Sequence, residues 1–241
     1  MADFENAPPV TVNDPWFPIK MKCVGTYGPT GDIPIYSNAI TGLAKKIKAR
    51  VDSQNQVVAV IFGGTGSGKS TFALNLIKAI DKGFKLDDVY IYGPKDLARK
   101  IRDEIPQNIN WYDEGSVTLN SLETTSRKGK RFSQFFDTQR FDGWISLICI
   151  PDGAEIQKRI LKHVDFLIQC PDSAPIWGFY NKGFFNVLER TYYPKSGKYW
   201  DDTICSGIFK QVPKKLRIEY EACKKAHAQE FKKKFVEDVL A

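Results

Sequence analysis

Histidine is nearly missing from this chain: His163 and His227 are the two present among 241 residues, which argues against a histidine-based metal centre. Cysteine is sparse and scattered. The five at 23, 149, 170, 205 and 223 include no close pair, so neither a zinc-ligand spacing nor a disulfide framework is visible, and a reducing interior fits best. Two of them sit inside apolar runs, where a buried thiol is the ordinary reading. No apolar run reaches the roughly 20 residues that a membrane-spanning helix needs. The segment from Met1 to Asp14 is acidic and polar and lacks the basic flank and apolar centre of a secretory leader. Internal repeats and low-complexity segments are also lacking, and a cytoplasmic protein without a membrane span is the expectation.

Against these absences stands a composition that supports a core. Hydrophobic residues make up 42% of the chain, and its length suits one sizeable α/β domain with appendages better than two independent domains. The formal charge of +7 permits a polyanionic partner without establishing one, since a solvated basic surface gives the same number.

The most informative stretch is Gly63-Gly64-Thr65-Gly66-Ser67-Gly68-Lys69-Ser70, followed by Thr71. It matches the full G-x-x-x-x-G-K-[ST] pattern of a nucleoside triphosphate phosphate-binding loop. Val57 to Phe62 reads as a buried strand before it, and Ser70 to Ile80 as the helix after it. The glycines allow a tight turn that aims successive N–H groups at phosphate oxygens. The helix start adds unpaired N–H groups and a positive dipole end. Lys69 is expected to reach the β and γ phosphates, and the Ser70 hydroxyl to ligate Mg²⁺. ATP and Mg²⁺ are therefore the expected cofactors.

Around this loop the chain divides into an N-terminal arm and amphipathic helix (1–52), a core (53–172), and an antiparallel appendage with a helical C-terminal segment (173–241). The arm, rich in Pro, Asp, Asn and Thr, allows a short strand over 20–24. Ile40, Leu43, Ile47 and Val51 mark the apolar face of a helix. Further core strands are read at 88–92, 108–113, 144–150 and 164–170, with helices over 96–105 and 154–163. Apolar strands alternating with helices predict a mostly parallel sheet covered on both faces. Beyond Pro171, strands at 176–180 and 184–193 joined by a turn at 181–183, then a turn at 194–198, predict the antiparallel extension. Lys214 to about Leu240 reads as a charged helix, broken or whole, packing through Leu216, Tyr220, Cys223 and Phe231.

A second acidic feature narrows the chemistry. Asp113-Glu114 ends the strand over 108–113: Asp113 is suited to hold Mg²⁺ near Ser70, and Glu114 to polarise a water for in-line attack on the γ-phosphate. An acid pair opening a turn before Gly115 is the plainer alternative. The acidic strand is third in order and open to a place beside the first, its carboxyl end on the crevice where open α/β sheets bind ligands.

With both motifs in hand, residues 57–170 resemble the additional-strand P-loop ATPases, and among them the DNA-pumping group of FtsK and HerA translocases and viral genome-packaging ATPases. The resemblance implies a RecA-like sheet with a strand inserted between the phosphate-loop strand and the acidic strand. It also implies a homo-oligomeric ring, double-stranded DNA as partner, a viral portal or capsid protein as a further partner, and, for a viral chain, the host cytoplasm. An arginine from a neighbouring subunit is implied as well, with Arg140 the first candidate and Arg131 and Arg159 behind it. This chain departs from the group after the fourth strand, where Asp152 stands in place of the usual glutamine. Arg127-Lys128-Gly129-Lys130-Arg131 could meet DNA phosphates or be an exposed charged loop. Trp177, Phe179, Tyr180, Phe184 and Phe185 could stack bases, although packing of the appendage accounts for them more simply.

Three functions compete. ATP hydrolysis driving translocation or packaging of double-stranded DNA is favoured. A nucleotide or small-molecule kinase would use the same loop, but Glu114 argues for water as acceptor. A P-loop assembly or morphogenesis factor would show no DNA stimulation. A GTPase fits less well, because Asn181-Lys182-Gly183-Phe184 lacks the aspartate of a guanine-recognition motif.

Overall fold

The computed structural model describes residues 10–13, 20–27, 33–53, 55–104, 108–113, 143–152, 158–171, 174–176, 179–181, 183–194 and 196–240. Strand β4 (Val57–Phe62) lies deepest, with every residue but the last buried. Side chains alternate across a strand, and here both sets are covered. Val57, Ala59 and Ile61 pack with helices α1 (Ala39–Asp52) and α2 (Lys69–Ile80), while Val58 and Val60 pack with Leu97, Ile160 and Val164 on the other face.

On either side of β4 run two parallel neighbours, β6 (Ile145–Ile150) and β7 (Phe166–Gln169). Strand β5 (Ile109–Tyr112) pairs in parallel with β6, so the parallel part reads β7-β4-β6-β5. The acidic strand is thus not beside the phosphate-loop strand, because β6 is inserted between them. That order, with helices on both faces, is the RecA-like P-loop fold.

The segment 88–92 is corrected from strand to something shorter. Leu86–Val89 forms one helical turn, α3, and pairing shrinks to a bridge between Tyr90 and Trp111, with the Ile91 N–H donating to the Trp111 carbonyl at 2.8 Å. Leu86 and Val89 both enter the same core cluster. Residues three apart share a face in a helix and point oppositely in a strand, so burying both selects the turn. Helix α4 (Pro94–Arg102) follows, and the Asp96 carboxylate caps its start by accepting from the N–H groups of Gly93 and Tyr92 at 2.9 and 3.1 Å.

The antiparallel extension also differs in its pairing. Strands β8 (Ala174–Ile176) and β9 (Phe179–Asn181) pair with each other, and β10 (Phe184–Tyr193) pairs instead with β7 and, around the turn after Tyr193, with β11 (Lys198–Ile208). Gly183 explains the switch: at φ +92° its carbonyl accepts from the Phe209 N–H at 2.7 Å, tying the start of β10 to the end of β11. Phe184 and Phe185 are fully buried there. They are core residues, not a stacking surface.

Strand β11 continues the sheet by pairing in parallel with β3 (Ile33–Tyr36), which is antiparallel to β2 (Lys20–Tyr27), itself antiparallel to β1 (Val10–Asn13). Among the described residues the short strand expected over 20–24 is therefore longer and forms part of one nine-stranded sheet. Helix α5 (Lys158–Leu161) precedes β7, and α6 (Lys214–Leu240) is one unbroken helix. No described helix is long and apolar enough to cross a membrane.

Candidate functional site

The loop between β4 and α2 is shaped by contacts that exclude side chains. Gly63 adopts φ +152°, and a Cβ there would lie 1.9 Å from the Cys170 carbonyl oxygen at the end of β7. Gly66 and Gly68 follow with φ of +84° and +95°, the left-handed region that glycine enters without steric cost. Gly68 then leads straight into α2, its carbonyl accepting from the Phe72 N–H at 2.8 Å. Ser67 is buried and its hydroxyl has no hydrogen-bond partner. The Lys69 ammonium donates to the carbonyls of Gly63 and Gly64 at 2.7 and 2.8 Å, folded onto the loop it belongs to.

Asp113 follows β5 directly, and its carboxylate is fully buried. It accepts from the Ser70 hydroxyl through Oδ1 at 2.6 Å. The other oxygen, Oδ2, accepts from the Tyr220 hydroxyl at 2.6 Å and from the Lys224 ammonium at 3.1 Å, both on α6. Three elements, α2, β5 and α6, therefore meet at one carboxylate, with the inserted strand β6 lying between β5 and the phosphate-loop strand β4. A cavity of about 390 Å³ opens between them, lined by Lys69, Ser70, Thr71, Asp113, Tyr220 and Lys224 among others, a size within the range of small-molecule sites.

The surroundings fix the protonation of these groups. Burial, reinforced by the Asp113 charge, pushes the Tyr220 hydroxyl far above its ordinary range, so Tyr220 remains a donor to Asp113. The Cys149 thiol on the cavity wall is likewise driven well up, first by burial and then by Asp113, and stays a neutral thiol, not a nucleophile. Trp111 donates to its sulfur at 3.4 Å. The Tyr220 ring packs against Trp111 at 5.3 Å, and His227 stacks on Tyr92 at 4.8 Å, which seats α6 on the edge of the sheet.

Of the residues singled out in the sequence, Gly63 to Thr71 and Asp113 meet at this crevice. Glu114, Arg131, Arg140 and the basic cluster 127–131 lie outside the described residues, as does Trp177. Phe179 and Tyr180 are placed on β9 and Arg159 on α5. Asp152 is exposed, while Ile150 and Pro151 before it reach the cavity wall.

Tyr220 and Lys224 were missed as site residues because a helix carrying charges of both signs reads as solvated. The available signal was the stripe Leu216, Tyr220, Cys223 and His227 at helical spacing, with Lys224 one turn beyond Tyr220 and so on the same side.

A hard divalent ion is a chemically sound occupant beside Oδ1, where a hydroxyl and a carboxylate oxygen are already in contact. Among the described residues no group of three or more His, Cys, Asp or Glu is placed to hold a metal. The donor set thus suits an ion that takes most of its ligands from phosphate and water, as Mg²⁺ does, and it does not suit a protein-caged metal.

No protein-family model and no curated protein matches the sequence. Among solved structures, the chain is similar to a KaiC-like protein from the hyperthermophilic archaeon Pyrococcus horikoshii OT3, at 12% identity with a TM-score of 0.34, over 84% of this chain and all of that one. The fold assignment rests on the strand order and the loop geometry given above.

Proposed function

We propose that the chain is a Mg²⁺-dependent ATPase of the additional-strand P-loop class, that it works as a homo-oligomer, and that hydrolysis moves or packages double-stranded DNA. The observation that carries the ATPase reading is the Ser70–Asp113 contact of 2.6 Å, made between the two sequence motifs across an intervening parallel strand.

In this reading the N–H groups of Gly64 to Lys69 and the start of α2 bind the phosphates, and Lys69 leaves its loop carbonyls for the β and γ phosphates. Ser70 and Asp113 hold Mg²⁺, whose chemistry is to draw charge from the phosphate oxygens. Glu114, next to Asp113, orients the attacking water, and Arg140 from a neighbouring subunit offsets charge in the transition state. The DNA reading is supported by the resemblance of residues 57–170 and by the net charge of +7. A partner at the portal or capsid follows from the same resemblance.

The test is steady-state ATP turnover with and without duplex DNA over a range of protein concentrations. Turnover per chain is expected to rise with concentration and with DNA, Lys69→Ala to lose nucleotide binding, and Glu114→Gln to keep binding while turnover falls by at least about 100-fold. Undiminished turnover by Glu114→Gln would remove Glu114 from its role. Turnover that ignores DNA would leave an ATPase and remove the motor.

A further inference from the structure

We propose that Lys224, which the structure pairs with Asp113 from helix α6, is a ligand for the terminal phosphate of a bound nucleotide. This rests on the reading of the crevice as a triphosphate site.

Lys224 faces the same cavity as Lys69 and Ser70, and its side chain is 41% exposed there while the carboxylate it touches is wholly buried. The side chain is thus part of the cavity wall and partly solvated. Its departure does not strand Asp113, because the Tyr220 hydroxyl still donates to Oδ2 at 2.6 Å while Oδ1, now paired with Ser70, would face the bound Mg²⁺. Tyr220 is wedged against Trp111 and Tyr90, with ring centroids 5.3 and 6.4 Å away. The helix can thus keep its seat while the flexible four-carbon stem of Lys224 swings.

Electrostatics supplies the direction of the swing. A dication bound beside Oδ1 and an ammonium on Oδ2 repel one another across one carboxylate, and the repulsion is little screened in a buried setting. A triphosphate brings oxygens whose charge a single Mg²⁺ and Lys69 do not offset. Lys224 then gains more from the phosphate than from Asp113, and a charge-assisted hydrogen bond replaces an ion pair of similar kind. A diphosphate ends short of that position and recruits Lys224 less, so α6 carries the discrimination between substrate and product.

The experiment compares equilibrium binding of Mg·ATP and Mg·ADP by the full chain as wild type, Lys224→Ala and Lys224→Arg, with thermal unfolding of each nucleotide-free protein. Lys224→Ala is expected to weaken ATP binding roughly tenfold, the effect of one hydrogen bond to a charged group. ADP binding should change by less than about twofold on the same scale, and Lys224→Arg should recover most of the ATP affinity. If Lys224→Ala does not fold, Lys224→Gln, which keeps the stem without the charge, carries the same comparison. Equal losses for both nucleotides, or none for either, overturn the proposal and leave Lys224 as a structural partner of Asp113. Wild type that binds neither nucleotide removes the triphosphate reading and this inference together. Binding that Lys69→Ala abolishes and Lys224→Ala leaves intact removes the inference alone.

Discussion

Lys100 is a lysine drawn out of water, unlike the partly exposed Lys224. It is 3% exposed, its ammonium donates to the Ile109 carbonyl at 2.5 Å, and it lies 5.8 Å from the Trp144 ring centre. Burial brings its pKa down to about 8, with the Asp88 charge acting in the opposite direction. The folded state therefore disfavours the protonated form relative to the unfolded chain, where the ordinary value is near 10.4. Below about 8 both states hold the proton and the whole burial penalty is present. Between there and the unfolded value the unfolded chain binds more protons, so folding stability rises with pH. Urea unfolding at pH 7.5 and 9.5 should show wild type gaining about 2 kcal/mol relative to Lys100→Met. Parallel pH profiles for the two proteins would show that the ammonium is not held as described.

At the scale of elements, α1 is fastened to the sheet by charge at the rim opposite the crevice. Glu189 on β10 accepts from Lys46 at 2.6 Å and from Arg50, and Arg50 also donates to Asp165 at 2.8 Å, just before β7. The other Asp165 oxygen accepts from the Val58 N–H at 2.9 Å, which ties the group to the start of β4. A larger cavity of about 560 Å³ lies here, and its Arg50 and Arg190 are already engaged, the latter with Asp201 at 2.7 Å. Glu189 is only 11% exposed at its side chain, so Glu189→Ala takes a buried counter-charge from both Lys46 and Arg50 and is expected to cost about 2–4 kcal/mol in urea unfolding. Arg102→Ala removes a pair exposed at 75% and 41%, which solvent screens, and should leave the unfolding midpoint unchanged. Comparable losses for the two variants would mean that Glu189 is not the centre of the cluster.

These pairings also show where sequence reading stops. Strand β4, helices α1 and α2, and the strands over 145–150 and 166–169 were legible because each carries a long apolar period and a glycine or acid at its end. The edge at 88–92 was not, because Leu86 and Val89 signal a turn only once it is known that both must enter the same core. For β10 the hairpin with β11 was legible from the turn read at 194–198, whereas its pairing with β7 in place of the segment at 176–180 was not, because both segments satisfy the pattern and the Gly183–Phe209 bond that decides between them is long-range. In the crevice, Gly63 to Ser70 and Asp113 announce themselves by motif, whereas Tyr220 and Lys224 lie more than 100 residues from the carboxylate they hold.

The molecule as a whole is a sheet of unequal strength. Strands β4 and β6 meet through six residue pairs, whereas β3 joins β11 through two, Ser206 with Ile35 and Gly207 with Tyr36. Gly207 has no space for a side chain, since a Cβ would come within 2.6 Å of Ala39 and Phe185, so the joint is close-packed but short. Strands β1 to β3 are expected to open together at lower free energy than the centre. In native-state hydrogen exchange, amides of β2 and β3 should exchange at least about tenfold faster than those of β4 and β6. Uniform protection across the nine strands would show instead that the sheet opens as one body.

Two carboxylates, Asp113 and Asp165, stand at opposite ends of the parallel strands, and each divides its oxygens between two elements. Around Asp165 the positive groups are shared with Glu189, so that end is electrically closed and its helix has no incentive to shift. Around Asp113 the Lys224 side chain is partly exposed and lines the cavity. An anion entering that cavity is expected to be felt first by the Lys224 side chain on the last helix, while the first helix, tied to the sheet through Lys46 and Arg50, stays as the fixed frame.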